Sequence, residues 1–215
     1  MDLKQILHKN TQTVEAFGLT GNIGSGKSTV AKFLEKLGAI IISCDNVAKE
    51  IAASGLYQNE INLILGENVF RFGNIDFKMI ASIIFADKAK LLAYEQFIHP
   101  LVWAKVEKIV SENSGKLCVV ENALIYQKGD QWRFDYGVIV ATCSLEERLA
   151  RLTDPKKRNL TVEDAEARME IQRKAQKGKS PESHPATRFV INTECDMEEL
   201  EKIVFDLYQK LKEYL

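Results

Sequence analysis

The chain has 215 residues, 46% hydrophobic and 27% charged, a composition that supports one large domain or a core carrying an inserted subdomain. Its 29 basic and 30 acidic side chains leave a net charge of −1, so no long-range field argues for a nucleic-acid or anionic-membrane partner. The four cysteines (Cys44, Cys118, Cys143, Cys195) are too scattered for a zinc or disulfide framework, and no apolar run approaches the ~18 residues of a spanning helix.

In chain order, residues 1–12 read as a short helical extension with Leu3, Ile6 and Leu7 on one side. The opening MDLKQILHKNTQTVEAF lacks the apolar core and small-residue cleavage site of a secretory signal, so the expected location is the cytoplasm. Val14–Thr20 is strand-like and runs into a glycine cluster. Ser28–Leu37 places Val30, Phe33, Leu34 and Leu37 at helical spacing, with Gly38 where a C-terminal cap belongs. Ala39–Ile42 is a continuous apolar run, as in a strand buried on both faces. Together these form one βαβ unit.

From Asp45 to Asn113 little reads as strand. Asp76 and Asp87 are expected N-caps of helices carrying Met79, Ile80, Ile83 and Ile84, and then Leu91, Leu92 and Tyr94. Pro100 is expected to interrupt the second of these or to start another. Tyr94, Phe97, Trp103 and Trp132 read as packing residues. Strand signals resume at Leu117–Val120 and Tyr136–Cys143. Ser144 with Glu147, and Thr161 with Asp164, have capping-box spacing and predict helices to about Leu152 and Gln176. A polar, basic loop, Asp154–Asn159, lies between them. Phe189–Asn192 predicts a last strand, and Asp196 caps an amphipathic helix through Val204, Leu207 and Leu211. Alternating strands and helices predict an α/β fold: a parallel sheet flanked by helices, with a helical insertion after its second strand.

The strongest chemical signal is Gly21-Asn22-Ile23-Gly24-Ser25-Gly26-Lys27-Ser28, a full G-x-x-x-x-G-K-[ST] phosphate loop between an apolar strand and an amphipathic helix. Backbone N–H groups of such a loop converge on phosphate oxygens, Lys27 adds a point charge, and Ser28 is placed to ligate Mg²⁺. The pattern predicts nucleotide binding of the P-loop NTPase type without separating kinases from GTPases and ATPases. No N-K-x-D guanine-reading motif is present. Leu117–Glu121 partly imitates the acid-tipped strand of motor ATPases, but the chain is short for such machines. A single helical insertion and a basic loop around Arg158 suit a small-molecule kinase, whose lid excludes water and whose arginine neutralises developing charge.

The stretch Gly18–Val30, GLTGNIGSGKSTV, resembles the opening of dephospho-CoA kinases. The resemblance continues through Leu37-Gly38-Ala39, Cys44-Asp45-Asn46-Val47-Ala48, Ile98-His99-Pro100-Leu101-Val102, the region of Arg158, Arg168 and Gln172, and Phe189-Val190-Ile191-Asn192. It implies transfer of the ATP γ-phosphate to the ribose 3′-hydroxyl of dephospho-CoA, with Mg²⁺. It also implies a nucleotide-binding core at 1–54 and 114–215, a lid at about 154–178, and a helical acceptor-binding insertion at 55–113. On this resemblance the ATP site comprises Asn22 to Thr29 and Asn192; the acceptor site comprises Thr20, Asp45, His99, Arg168 and Gln172, with one of Tyr94, Phe97, Trp103 and Trp132 as an alternative stacking partner for the acceptor adenine; and Asp45, Lys27 and Arg158 are catalytic.

Asp45 has two readings, as the group that orients or deprotonates the hydroxyl and as the N-cap of a helix starting at Asn46. Ser43 stands where the family has a first aspartate, Ala123–Gln127 replaces a segment like P-L-L-F-E, and Arg158-Asn159 stands for R-D. The alternatives are a kinase for another nucleoside or nucleotide and a nucleotide-binding regulator that has lost transfer. A monomer without nucleic-acid or membrane partners is expected.

Overall fold

A computed structural model describes residues 13–71, 73–176 and 180–215; the helix expected over 1–12 lies outside the described residues. The chain divides into two compact units, Met1–Ile42 with Val110–Leu215, and Ser43–Ile109.

The first unit begins with β1 (Phe17–Gly21), which leads through the glycine loop into α1 (Lys27–Lys36) and then β2 (Ile40–Ser43). Val30, Ala31, Phe33 and Leu34 form the buried stripe of α1, and Gly38, just past its end, takes a φ of 103°. The second unit carries α2 (Cys44–Ala53), α3 (Gln58–Leu65), the two-residue strands β3 (Phe70–Arg71) and β4 (Asn74–Ile75), α4 (Phe77–Ala86), and most of α5 (Lys88–Glu112). Back in the first unit are β5 (Cys118–Glu121), α6 (Ile125–Lys128), β6 (Val138–Thr142), α7 (Leu145–Thr153), α8 (Val162–Ala175), β7 (Thr187–Asn192) and α9 (Met197–Lys212).

The main sheet has the order β2-β5-β1-β6-β7. β1 runs parallel to β5 and β6, and β6 parallel to β7. Every residue of β1 is buried, Thr20 included, because a central parallel strand has no solvent face. Phe17, Leu19, Val119 and Ile139 from the sheet pack with Leu34 of α1 and Leu200, Val204, Leu207 and Leu211 of α9. A smaller cluster, Leu152, Ala165 and Met169, joins α7 to α8.

The second unit has its own core of Ala52, Ile61, Leu65, Val69, Phe70 and Ile80. Its helix starts follow the expected chemistry: Asp76 accepts from Met79 N–H at 3.0 Å, and Asp87 from Ala89 N–H at 2.8 Å. Four details of the fold differ from expectation or add to it. Pro100 neither breaks nor starts a helix but sits inside α5. The missing N–H and the clash of the ring with the preceding turn together cost about 3 kcal/mol, and the buried Ile98, Val102, Trp103 and Val106 on either side offset it. His99, beside it, is therefore a mid-helix residue. The pair β3–β4 has no strong sequence signal, because two residues per strand are too short to show alternation; it forms a separate antiparallel sheet.

The third detail concerns α2. Its N-cap is Ser43, whose hydroxyl accepts from Asn46 N–H, while Asp45 lies in the first turn. Trp132, expected to pack, is 44% exposed and rests against His184.

Candidate phosphate-binding site

β1 delivers the chain into the loop from the middle of the sheet. Gly24 and Gly26 have φ of 81° and 79°, left-handed values that a Cβ disfavours. Space excludes a side chain as well. A Cβ on Gly24 would stand 2.9 Å from the Arg148 carbonyl oxygen, and one on Gly26 2.9 Å from Thr193 Oγ1. Ser25 N–H closes a turn onto Asn22 O at 3.0 Å, and Thr29 and Val30 donate to Gly26 O, starting α1. The N–H groups of Lys27 and Ser28 fall in the first helical turn, where no intrahelical acceptor exists and the helix dipole favours an anion.

Register explains the next contact. Leu19 of β1 pairs with Glu121, the last residue of β5, so the carboxylate emerges beside the loop. Lys27 Nζ and Glu121 form an ion pair in which the side chains are 16% and 13% exposed. Ser28 Oγ donates to the same carboxylate oxygen at 2.9 Å. A hydroxyl and a carboxylate are hard oxygen donors of the kind Mg²⁺ takes, so these two residues fit that ion.

Three successive loop carbonyls are held from outside. Arg148 Nε donates to Ile23 O at 2.9 Å, Arg151 Nη1 to Gly24 O at 3.4 Å, and Thr193 Oγ1 to Ser25 O at 2.8 Å. Arg151 is itself fixed, with Nη1 to Thr193 Oγ1 at 2.9 Å, Nη2 to Thr193 O at 2.6 Å and Nε to Glu147 at 2.7 Å. Arg148 is buried, and burial pulls its guanidinium below the ordinary arginine pKa against the opposing pull of Cys143 and Glu182. Burial likewise raises the Cys143 thiol, which stays protonated at neutral pH.

Cap chemistry places α7. Ser144 Oγ accepts from Glu147 N–H at 3.2 Å, as the spacing predicts. The reciprocal acceptor for Ser144 N–H is Glu194, at 2.8 Å, because Glu147 is engaged by Arg151. Hydrogen bonds from the Ser144 backbone and hydroxyl hold the Glu194 carboxyl below its usual range. From α8, Gln172 Oε1 accepts from Ile23 N–H at 2.8 Å and Gln176 Nε2 donates to Asn22 Oδ1 at 2.6 Å. A cleft of about 420 Å³ lies here, lined by Asn22, Leu145, Arg148, Met169, Gln172 and Gln176 among others.

Asn22 to Thr29 and Gln172 thus come together in one place. Thr20 is buried in β1. Asn192 ends β7, where its Oδ1 accepts from Glu194 N–H at 2.9 Å. Arg158 and Arg168 are exposed, the first on the loop after α7 and the second on α8. Asn159 takes a φ of 49°, a left-handed turn that Asn and Asp tolerate better than other side chains. Asp45, exposed, and His99, half-buried, belong to the second unit.

Sequence reasoning missed Glu121, Arg148, Arg151 and Thr193 as site residues. Glu121 carried a signal, an acid at the tip of an apolar strand. The arginines carried none, since Arg148 and Arg151 beside Glu146 and Glu147 read as an ordinary charged helix.

Residues 16–195 match the protein family described as dephospho-CoA kinase. The chain is 36% identical over 204 residues to the dephospho-CoA kinase of Moorella thermoacetica, covering 92% of each. It is 32% identical over 197 residues to that of Streptomyces avermitilis, covering 90% of this chain and 92% of the relative. Among solved structures it is similar to TT1252 from Thermus thermophilus, with a TM-score of 0.73 at 28% identity over 93% of this chain and 99% of that one. A dephospho-CoA kinase from Campylobacter jejuni shares the fold, with a TM-score of 0.64 at 24% identity over 93% and 98% of the two chains. A phosphate loop on a parallel sheet of this order and a family match spanning nearly the whole chain agree: the protein belongs to the dephospho-CoA kinase family.

Proposed function

We propose that this chain transfers the γ-phosphate of ATP to the ribose 3′-hydroxyl of dephospho-CoA, the last step of coenzyme A biosynthesis, with Mg²⁺. The observation that carries the nucleotide half of the reading is the Glu121 carboxylate bridging Lys27 and Ser28 at the mouth of the phosphate loop; the acceptor rests on the family match over residues 16–195. Lys27 Nζ, the loop N–H groups beyond those of Ile23 and Ser25, which are bonded within the protein, and those of the first turn of α1 bind the phosphates. Ser28 Oγ and Glu121 would hold Mg²⁺, which when bound neutralises charge on the phosphates. Arg158, exposed on its loop, is the candidate for closing on the transferring group. Asn192 is the candidate for the adenine, and Thr20, His99, Arg168 and Gln172 are candidates for acceptor contacts.

Asp45 is the proposed base. Because Ser43 caps α2, the Asp45 carboxylate is not committed to capping and is exposed to receive a hydroxyl proton. The helical segment 55–113 is the proposed acceptor-binding insertion, and 154–178 the lid. Among the described residues no helix is long and apolar enough to cross a membrane. The proposed location is the cytoplasm, a reducing compartment that suits four free thiols, and the proposed form is a monomer without nucleic-acid partners.

The test is ADP release with Mg²⁺-ATP and, in parallel, dephospho-CoA, adenosine, AMP and uridine, with mass analysis of the product. Turnover confined to dephospho-CoA, with one phosphate added, is expected. Turnover with another acceptor alone, or ATP binding without ADP release, would overturn the reading.

A further inference from the structure

Ile23 is the one loop residue whose three chemical groups are all taken by α7 and α8. Its N–H donates to Gln172 Oε1 of α8 at 2.8 Å. Its carbonyl accepts from Arg148 Nε of α7 at 2.9 Å. Its side chain packs against the Leu152, Ala165 and Met169 cluster that joins the two helices. One residue earlier, Asn22 Oδ1 accepts from Gln176 Nε2 at 2.6 Å. Gln172 and Gln176 are four apart and so share one face of α8. That face meets the loop side by side at two successive residues.

We infer that Gln172 and Gln176 are positioning residues which latch α8 to the first half of the phosphate loop, so that the placement of this helix sets the loop's readiness for ATP. The inference rests on reading the chain as an ATP-dependent phosphotransferase. It gives Gln172 a role different from contact with the acceptor: its amide oxygen serves the loop backbone.

The mechanism follows from hydrogen-bond range. A bond at 2.8 Å is lost when its partners separate by more than about 0.7 Å, since 3.5 Å is the limit of useful geometry. Any displacement of α8 that breaks the Gln172 bond therefore frees the Ile23 amide and pulls on the Ile23 side chain together. The peptide units on either side of Ile23 set the path of the chain into Gly24, whose left-handed turn begins the cradle. The latch acts on loop shape before any acceptor is engaged. Its loss is felt in ATP affinity, and less in the turnover of complexes that do form.

The experiment uses the full chain. Gln172→Met keeps length and apolar contact but removes the acceptor; Gln172→Glu keeps an oxygen for the Ile23 N–H. Hydrogen exchange of the Ile23 amide is followed by NMR without nucleotide, ATP affinity by calorimetry, and KM for ATP against kcat in the dephospho-CoA assay. Gln172→Met is expected to speed Ile23 exchange at least tenfold and to weaken ATP binding roughly three- to tenfold, as befits one hydrogen bond, with any loss in kcat smaller than the loss in ATP affinity. Gln172→Glu should restore exchange protection.

Gln176→Met and Asn22→Ala should be non-additive in ATP affinity, the double variant being no weaker than the worse single one. Gln176 is the C-cap of α8, past its last helical residue, so this pair reads the latch even if Gln172→Met lowers the melting temperature. Unchanged Ile23 exchange in Gln172→Met, a fall in kcat at unchanged ATP affinity, or additive Asn22 and Gln176 effects would each overturn the proposal. A wild-type protein that binds ATP but phosphorylates no acceptor would remove the kinase reading, while exchange and affinity would still decide the latch.

Discussion

Replacing Glu121 by glutamine isolates the charge at the tip of β5 from its hydrogen-bonding capacity. The side-chain carbonyl can still accept from Lys27 Nζ and Ser28 Oγ, so what disappears is the carboxylate opposite a lysine, the two being 13% and 16% exposed. At contact distance and an effective dielectric near 20, the gross attraction is roughly 4–5 kcal/mol. Relief from desolvating the carboxylate and the retained hydrogen bonds return most of it, leaving a net destabilisation of about 1–2 kcal/mol for the nucleotide-free protein. For a chain of this size that lowers the melting temperature by about 2–8 °C. Lys27→Met removes the other charge, and the two substitutions should couple by about the same 1–2 kcal/mol in a double-mutant cycle read by denaturant unfolding. Turnover of Glu121→Gln should fall on the order of 10²-fold, since a donor to the proposed metal site is weakened where charge stabilisation dominates. Melting unchanged together with additivity within about 0.5 kcal/mol would refute the pairing; wild-type turnover would refute the metal role.

Asp45→Asn should lower kcat by roughly 10²–10⁴-fold while ATP affinity and melting temperature hold, because Ser43 and not Asp45 caps α2. A fall below fivefold in steady-state assays would send the search for the base elsewhere. Leu152→Ala, at a fully buried position in the α7–α8 cluster, should cost about 2–3 kcal/mol, the lower part of the range for such truncations, measured by urea unfolding. Glu194 has a folded-state pKa below its unfolded value through the Ser144 hydrogen bonds. Its stabilisation is therefore present above the usual glutamate pKa near 4.5 and is lost as pH falls through the depressed value. Melting temperatures from pH 7 to pH 3 should show a shallower acid decline for Glu194→Gln than for the wild type.

What could be read from the sequence was whatever local backbone chemistry dictates. The phosphate loop needs left-handed glycines, a lysine and a hydroxyl at fixed spacing, and Asp76, Asp87, Ser144, Thr161 and Asp196 are caps because an oxygen near the helix start is all a cap requires. What escaped depends on distant partners. Ser144 N–H is answered by Glu194, 50 residues away, where the local pattern points to Glu147. Arg148 and Arg151 meet the loop across 125 and 127 residues. Pro100 was misread because the helix rule is local, whereas the burial of its neighbours is tertiary.

The arginines also decide how the loop can be built before any nucleotide arrives. A loop whose N–H groups converge on one point must turn its carbonyls the other way, and each buried carbonyl left without a donor costs about 1–3 kcal/mol. Here Ile23, Gly24 and Ser25 present successive carbonyls to Arg148, Arg151 and Thr193. The two cations supply charge-assisted donors from outside the cradle, and their positive charge acts in the same direction as the amides inside it. Glu121 balances the charge of Lys27. Removing Arg148 therefore does more than expose one carbonyl: it loosens Ile23, the residue on which Gln172 also depends, so the effects of the two on ATP affinity should fail to add.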